Sequence, residues 1–192
     1  MADLNDTAAE ISRQLQAHGF EDDGGIYQVL ALVEEAGEMV GAYRRWTGRA
    51  RRTGTEQEFR LELADVVITA FVTAAELAVR LDTPELFLVP QPLEPAAAWP
   101  NVLHTQQSVS VFVAAWLASY SDVWLPHLQQ TVERSYLLAG ALGLDLNADI
   151  QTKLDIVFNR GWRELAKAGR KDGVAILPDP VTRTAWQSEF DQ

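Results

Sequence analysis

Cysteine is absent from this chain. That excludes disulfides, thiolate metal ligands and thiol nucleophiles. Histidine is scarce, and the three present, His18, His104 and His127, are preceded three positions earlier by Leu15, Asn101 and Trp124. The Glu-x-x-His pairs of a di-iron carboxylate bundle are therefore missing. Gly-x-Gly-x-x-Gly, Walker-type, His-Glu-x-x-His and Gly-x-Ser-x-Gly signatures are missing too. Basic residues are outnumbered, 16 Lys and Arg against 27 Asp and Glu, giving a net charge of -11. This balance argues against a nucleic-acid partner. No apolar run reaches the ~20 residues that cross a bilayer. The segment Pro95–Ser121 carries no charge but is broken by Pro, Asn, His, Thr, Gln and Ser, and it reads as a buried helix rather than a membrane span. The start, Met-Ala-Asp-Leu-Asn-Asp, lacks the basic and apolar regions of a signal peptide, so a cytoplasmic location is expected.

What is present reads almost wholly helical. At 192 residues the chain suits one domain with a real core. A short amphipathic helix is expected over 6–18, capped by Asp6 or Thr7. A long helix follows over 26–46, with Leu30, Val33, Met39, Val40 and Tyr43 at helical spacing. Another is expected over 55–81, where Thr55-Glu56-Gln57-Glu58 fits a capping box. Five of the eight prolines lie in 82–101, which predicts an extended connection. Helices over 102–119 and 122–142 come next, with Pro126 in the first turn of the second. Leu142-Gly143-Leu144-Asp145 is a stop and restart before a final helix over 146–168, with Gly169 as its cap. The fold class is all-α, an antiparallel helical bundle spanning 1–192, with 82–141 as a proline-rich connection and two-helix insertion. Most tryptophans suit the core. Trp46 and Trp162 each adjoin a basic cluster, where stacking on a base is the alternative to packing.

Two acidic pairs stand out. Glu35/Glu38 lies in Leu30-Ala31-Leu32-Val33-Glu34-Glu35-Ala36-Gly37-Glu38-Met39-Val40, and Glu62/Asp65 in Leu61-Glu62-Leu63-Ala64-Asp65-Val66-Val67-Ile68. Residues three apart share a helix face. Glu34, within about 100° of both partners of the first pair, joins that face. Like charges so placed repel, and no Lys or Arg stands three or four positions from any of the five. Something outside the local helix must neutralise them. A short loop makes the two helices antiparallel neighbours, which brings four carboxylates together as an oxygen-rich site for Mg²⁺ or Mn²⁺. The competing reading is two solvent-facing acidic stripes, and the apolar residues around Asp65 count against it.

The few cations are clustered. Arg44, Arg45, Arg49, Arg51 and Arg52 fall in one stretch, and six more basic residues lie between Lys153 and Lys171. Such clustering in an acidic chain suggests a bound anion, with a solvated loop and helix face as the alternative.

Glu34-Glu35-Ala36-Gly37-Glu38 and Glu62-Leu63-Ala64-Asp65 resemble the Glu-Glu-x-x-Glu and Glu-x-x-Asp motifs of the MazG-like all-α nucleoside triphosphate pyrophosphohydrolases. The 23 residues between Glu38 and Glu62 suit that family. Leu142-Gly143-Leu144-Asp145, with Lys153 and Asn159-Arg160 beyond, is similar to its last helix. The resemblance covers 26–81 and 140–170. It implies that Glu35, Glu38, Glu62 and Asp65 hold Mg²⁺, and that Glu34 assists the metal site or orients the attacking water. It further implies that Lys153, Asn159 and Arg160 contact phosphates, and that a triphosphate is cut to monophosphate and pyrophosphate. The Arg-rich loop would add neutralisation. The departure is the stretch of about 60 residues between the Glu-x-x-Asp helix and the Leu-Gly-x-Asp turn, which compact members lack. Rival expectations are a dUTPase or dCTPase of the same superfamily, a catalytically silent helical interaction protein and, less well matched, a phosphoribosyl-ATP pyrophosphohydrolase. A silent scaffold would be expected to lose some of the acids. The uncharged helix 102–119, with Val102, Val109, Phe112, Val113, Trp116 and Leu117, suggests a homodimer or a dimer of dimers.

Overall fold

The structure, a computed structural model, describes residues 3–17, 24–87, 89–118 and 122–158. Six α-helices, α1 (Leu4–Ala17), α2 (Ile26–Trp46), α3 (Glu56–Glu76), α4 (Trp99–Ala118), α5 (Leu125–Leu142) and α6 (Leu146–Ile156), make up the regular structure with two short 3₁₀ turns, and no strand occurs among the described residues. The all-α expectation holds. Within α6, the expected span to 168 lies beyond the described residues, as do Gly169, Asn159, Arg160 and Trp162.

Helix α3 is the axis of the fold. Every residue from Leu63 to Ile68 is buried, because α1, α2, α5 and α6 all pack around it. Its start is fixed by the expected capping box: the Glu58 amide donates to Thr55 Oγ1 at 3.1 Å, and the Thr55 amide donates to Glu58 Oε2 at 3.1 Å. Its end comes five residues earlier than expected. Ala78 takes a left-handed conformation, φ 56°, and the Val79 amide closes back on the Ala74 carbonyl at 2.9 Å. This is a Schellman-type stop made without glycine, which is why residue preferences did not reveal it.

The α2–α3 pair is antiparallel, as expected. Thr73 Oγ1 near the end of α3 donates to the Gln28 carbonyl near the start of α2, while Trp46 and Phe59 stack at 5.3 Å at the other end. Trp46 is thus a packing residue, held edge-on by Tyr43. Helix α1 begins two residues earlier than expected, and Leu4, Ala8 and Ile11 face the core. Asn5 ties it to the chain beyond α3, donating to the Leu81 carbonyl at 2.9 Å and accepting from the Leu81 amide at 2.9 Å.

The expected connection ends sooner, because α4 starts at Trp99 and takes Pro100 into its first turn. There a missing N–H costs nothing. Pro126 does the same for α5. The connection straps the far end of α5: the Val89 and Leu93 amides donate to the Gly140 and Ala141 carbonyls, and a Cβ on Gly140 would lie 2.2 Å from the Phe87 carbonyl oxygen. Gly143 stops α5 at φ 70°, and Asp145 restarts the chain by accepting from the Ala148 amide.

Most of the uncharged α4 face packs inside the chain. Val102, Val109 and Phe112 are buried, and Val113 and Trp116 lean on the same core. Leu103, Val111 and Leu117 stay exposed on α4, as does Leu137 on α5.

Candidate metal centre

The antiparallel α2–α3 pair brings the two acidic motifs level. Glu35, Glu62 and Asp65 each offer a carboxylate oxygen, and these oxygens lie within 4.8 Å of one another. Asp65 is buried, while Glu35 and Glu62 are half-buried at the edge of the helix pair. Glu38 is exposed and borders the cluster; its charge acts on all three. Glu34 is exposed and stands outside the cluster, because 100° of rotation carries it away from α3.

Burial dominates the electrostatics. It pushes the Glu35 carboxyl up to about 8, helped by the charges of Asp65, Glu38 and Glu62. Burial likewise pushes Glu62 up to about 7, helped by Glu38 and Asp65 and opposed by Lys153 and Arg45. The acids are not left to repel one another. Lys153, one turn before the end of α6, forms an ion pair with Asp65. The absence of a basic residue along the local helices is thus made good from a helix remote in sequence. Burial opposes the charge on Lys153, but the bond to Asp65 and the charges of Asp65, Glu62 and Glu35 outweigh it and hold its pKa above the ordinary value. Burial also raises Asp65, with Lys153 partly offsetting the rise. Both partners lean toward protonation, Asp65 through its burial and Lys153 through the acids around it.

A second ion pair, unforeseen from the sequence, sets the position of α6. Arg60 Nε lies 3.0 Å from both oxygens of the buried Asp149, and its Nη2 is 2.8 Å from Oδ1. Arg60 then Asp65 on α3 match Asp149 then Lys153 on α6, so the two helices run parallel. The signal was readable as complementary charge order: base then acid on one helix, acid then base four residues apart on the other.

The donor set fits a hard divalent cation. All three close oxygens come from carboxylates, and among the described residues no nitrogen or sulfur group joins them that would favour a softer metal. The site already draws positive charge, since the Lys153 ammonium pairs with Asp65 and burial raises the proton affinity of Glu35 and Glu62. Two shallow concavities lie elsewhere, against α1 and the chain following α3.

The proton affinity of these acids has a direct consequence. Above about 4.5, the ordinary glutamate value, the folded chain should keep protons that the unfolded chain has released, on Glu62 up to about 7 and on Glu35 up to about 8. Metal-free protein should therefore lose stability as pH rises through this window. Mg²⁺ binds the deprotonated carboxylates, so its stabilising effect should grow with pH across the same range. Thermal melts with EDTA and with Mg²⁺ measure both slopes. A melting point in EDTA that rises from pH 5 to 8 would contradict the protonated assignment.

Compared with known protein families, curated proteins and solved structures, the chain matches none.

Proposed function

We propose that this chain is a Mg²⁺-dependent nucleoside triphosphate pyrophosphohydrolase, of the MazG-like all-α kind that its acidic motifs resemble. The observation that carries this reading is the convergence of Glu35, Glu62 and Asp65 within 4.8 Å with Lys153 on the same spot. Glu35, Glu62 and Asp65, with Glu38 at their edge, would hold Mg²⁺, or Mn²⁺ in its place. A divalent cation supplies charge neutralisation on phosphate oxygens and activation of water.

The chain's own groups do the rest. The four carboxylates fix where the phosphates sit. Lys153 stands beside them with an ammonium that can turn from Asp65 to a phosphate oxygen. Glu34, which the resemblance offers as a water-orienting group, faces solvent outside the cluster, so orienting the water falls to the clustered acids and their cation. Asn159 and Arg160, six and seven residues after Lys153 in sequence, would extend the phosphate contacts, as the resemblance implies. The α–β anhydride bond breaks, water adds to the α-phosphorus, and pyrophosphate leaves.

The test is release of pyrophosphate from each canonical and several damaged nucleotides, with Mg²⁺ and with EDTA. Cleavage of at least one nucleotide, dependent on Mg²⁺, is expected. No release from any nucleotide would overturn the reading in favour of a silent helical scaffold. Preference for dUTP or dCTP would place the chain with the house-cleaning enzymes of the same superfamily.

The same reading carries a homodimer or a dimer of dimers, with Leu103, Val111, Leu117 and Leu137 at or beside the contact. Light scattering at micromolar concentration should give at least twice the chain mass of 21.3 kDa. A particle of the chain mass would show that the insertion completes the bundle within one chain.

A further inference from the structure

Among the described residues the cations of this acidic chain fall into a paired set, a clustered set without carboxylate partners, and the isolated Arg134 on α5. Arg13, Arg60, Arg80 and Lys153 each pair with a carboxylate. Arg44, Arg45, Arg49, Arg51 and Arg52, around the α2–α3 loop, pair with none among the described residues. The acids that could have answered them are engaged elsewhere: Glu58 closes the α3 capping box, and Glu56 pairs with Arg60 at 3.6 Å.

The loop that carries these guanidinium groups is built rather than loose. The Arg49 amide donates to the Arg44 carbonyl at 2.7 Å, and Arg44 Nη2 donates to the Arg49 carbonyl at 3.4 Å. Gly54 packs so close to α2 that a Cβ there would lie 2.6 Å from Arg45 Cβ. Arg45 is half-buried and folds back along α2, its Nη1 lying 3.2 Å from where a Cβ on Gly41 would stand. That brings its charge toward the acids, where it acts on Glu62. Arg44, Arg49, Arg51 and Arg52 are exposed. From Glu38 to Arg45 is seven residues of helix, about 10 Å along the axis. The acidic cluster and the Arg-rich loop that follows α2 thus stand about one phosphate chain apart along the same helix pair.

We propose that the α2–α3 loop is a polyphosphate dock, in which Arg45, Arg49, Arg51 and Arg52 receive the β,γ end of the triphosphate, the part that leaves as pyrophosphate. This rests on the pyrophosphohydrolase reading for the substrate's identity and adds its direction. The phosphate tail points to the α2–α3 turn, and the nucleoside points toward the start of α2. Guanidinium forks suit this task, since they meet phosphate oxygens in bidentate pairs.

The test separates the dock from the reaction. Binding of inorganic tripolyphosphate to the full chain is measured by calorimetry in EDTA, so no metal and no bond cleavage is involved. The R49A/R51A/R52A variant should bind about tenfold more weakly or worse, the loss of one or more charge-assisted contacts. R134A, an Arg on α5 away from the loop, should bind as wild type. These residues lie at the surface, and a matching melting curve verifies the fold. With Mg²⁺ and nucleotide, the triple variant should lower kcat/KM through a raised KM and a lowered kcat, since these groups hold the part that leaves. Equal tripolyphosphate affinity in wild type and triple variant overturns the dock whatever the turnover. Loss of affinity in the triple variant, alongside a wild type that cleaves no nucleotide, upholds the polyphosphate dock and removes the hydrolase reading.

Discussion

Asp65→Asn should abolish nucleotide hydrolysis while leaving the helical fold intact. The substitution keeps shape and a hydrogen-bond acceptor for Lys153 but deletes a buried charge from the ligand set. Groups standing behind metal ligands commonly cost 10- to 100-fold, so loss of a ligand should exceed about 100-fold. The fold is expected to survive because Lys153 still faces Glu35 and Glu62. Glu35→Gln should lose activity to the same degree. It should also flatten the fall in metal-free stability with rising pH, since the strongest proton-binding group is gone. Glu38→Gln is expected to follow, as it removes the charge at the cluster's edge. Circular dichroism and melting curves report the fold, and pyrophosphate release reports the reaction. Wild-type turnover in Asp65→Asn would take the carboxylates out of the chemistry.

Arg60→Met should produce the largest loss of stability expected here. Asp149 is 3% exposed, and Arg60 supplies its charge partner. Removing one member of a buried pair leaves an uncompensated charge and typically costs about 3–5 kcal/mol, a large share of the roughly 5–15 kcal/mol that holds a domain together. Replacing both, Arg60→Met with Asp149→Leu, should recover most of that loss, since a well-packed apolar pair is often no worse than the ion pair. Urea unfolding of the single and double variants gives the coupling energy. A single-variant loss below about 1 kcal/mol, the range of an exposed pair, would show that α6 is held by its apolar contacts. The double variant also tests the site, because α6 carries Lys153. Stability recovered without activity would separate the register of α6 from its mere attachment.

The sequence made the helix pair at the heart of the site legible, because its signals are local. The bounds of α2 follow from periodicity. The start of α3 follows from a capping box that satisfies two amides reciprocally, and the break before α6 from Gly143 and Asp145. What escaped depends on the third dimension. Pro100 reads as a breaker until its place in the first helical turn is known. The end of α3 depends on Ala78 accepting a left-handed conformation that its side chain does not favour. Glu34 and Glu35 are adjacent in sequence, yet the packing of α3 makes one a site residue and leaves the other in solvent. The partner of Asp65 lies too far along the chain for any local pattern to reveal it.

The parallel docking of α6 on α3 also bears on how the chain folds. Arg60 and Asp149 are 89 residues apart, so their contact closes one of the longest loops in the molecule. Local helices and the α2–α3 hairpin need only short closures, whereas α6 must wait for the strap, α4 and α5 to be laid down between them. During synthesis, Glu35, Glu62 and Asp65 leave the ribosome well before Lys153 does. An α2–α3 hairpin formed on the nascent chain would hold its acids without their ammonium, and α6, the last described helix to be made, carries the group that pairs with Asp65.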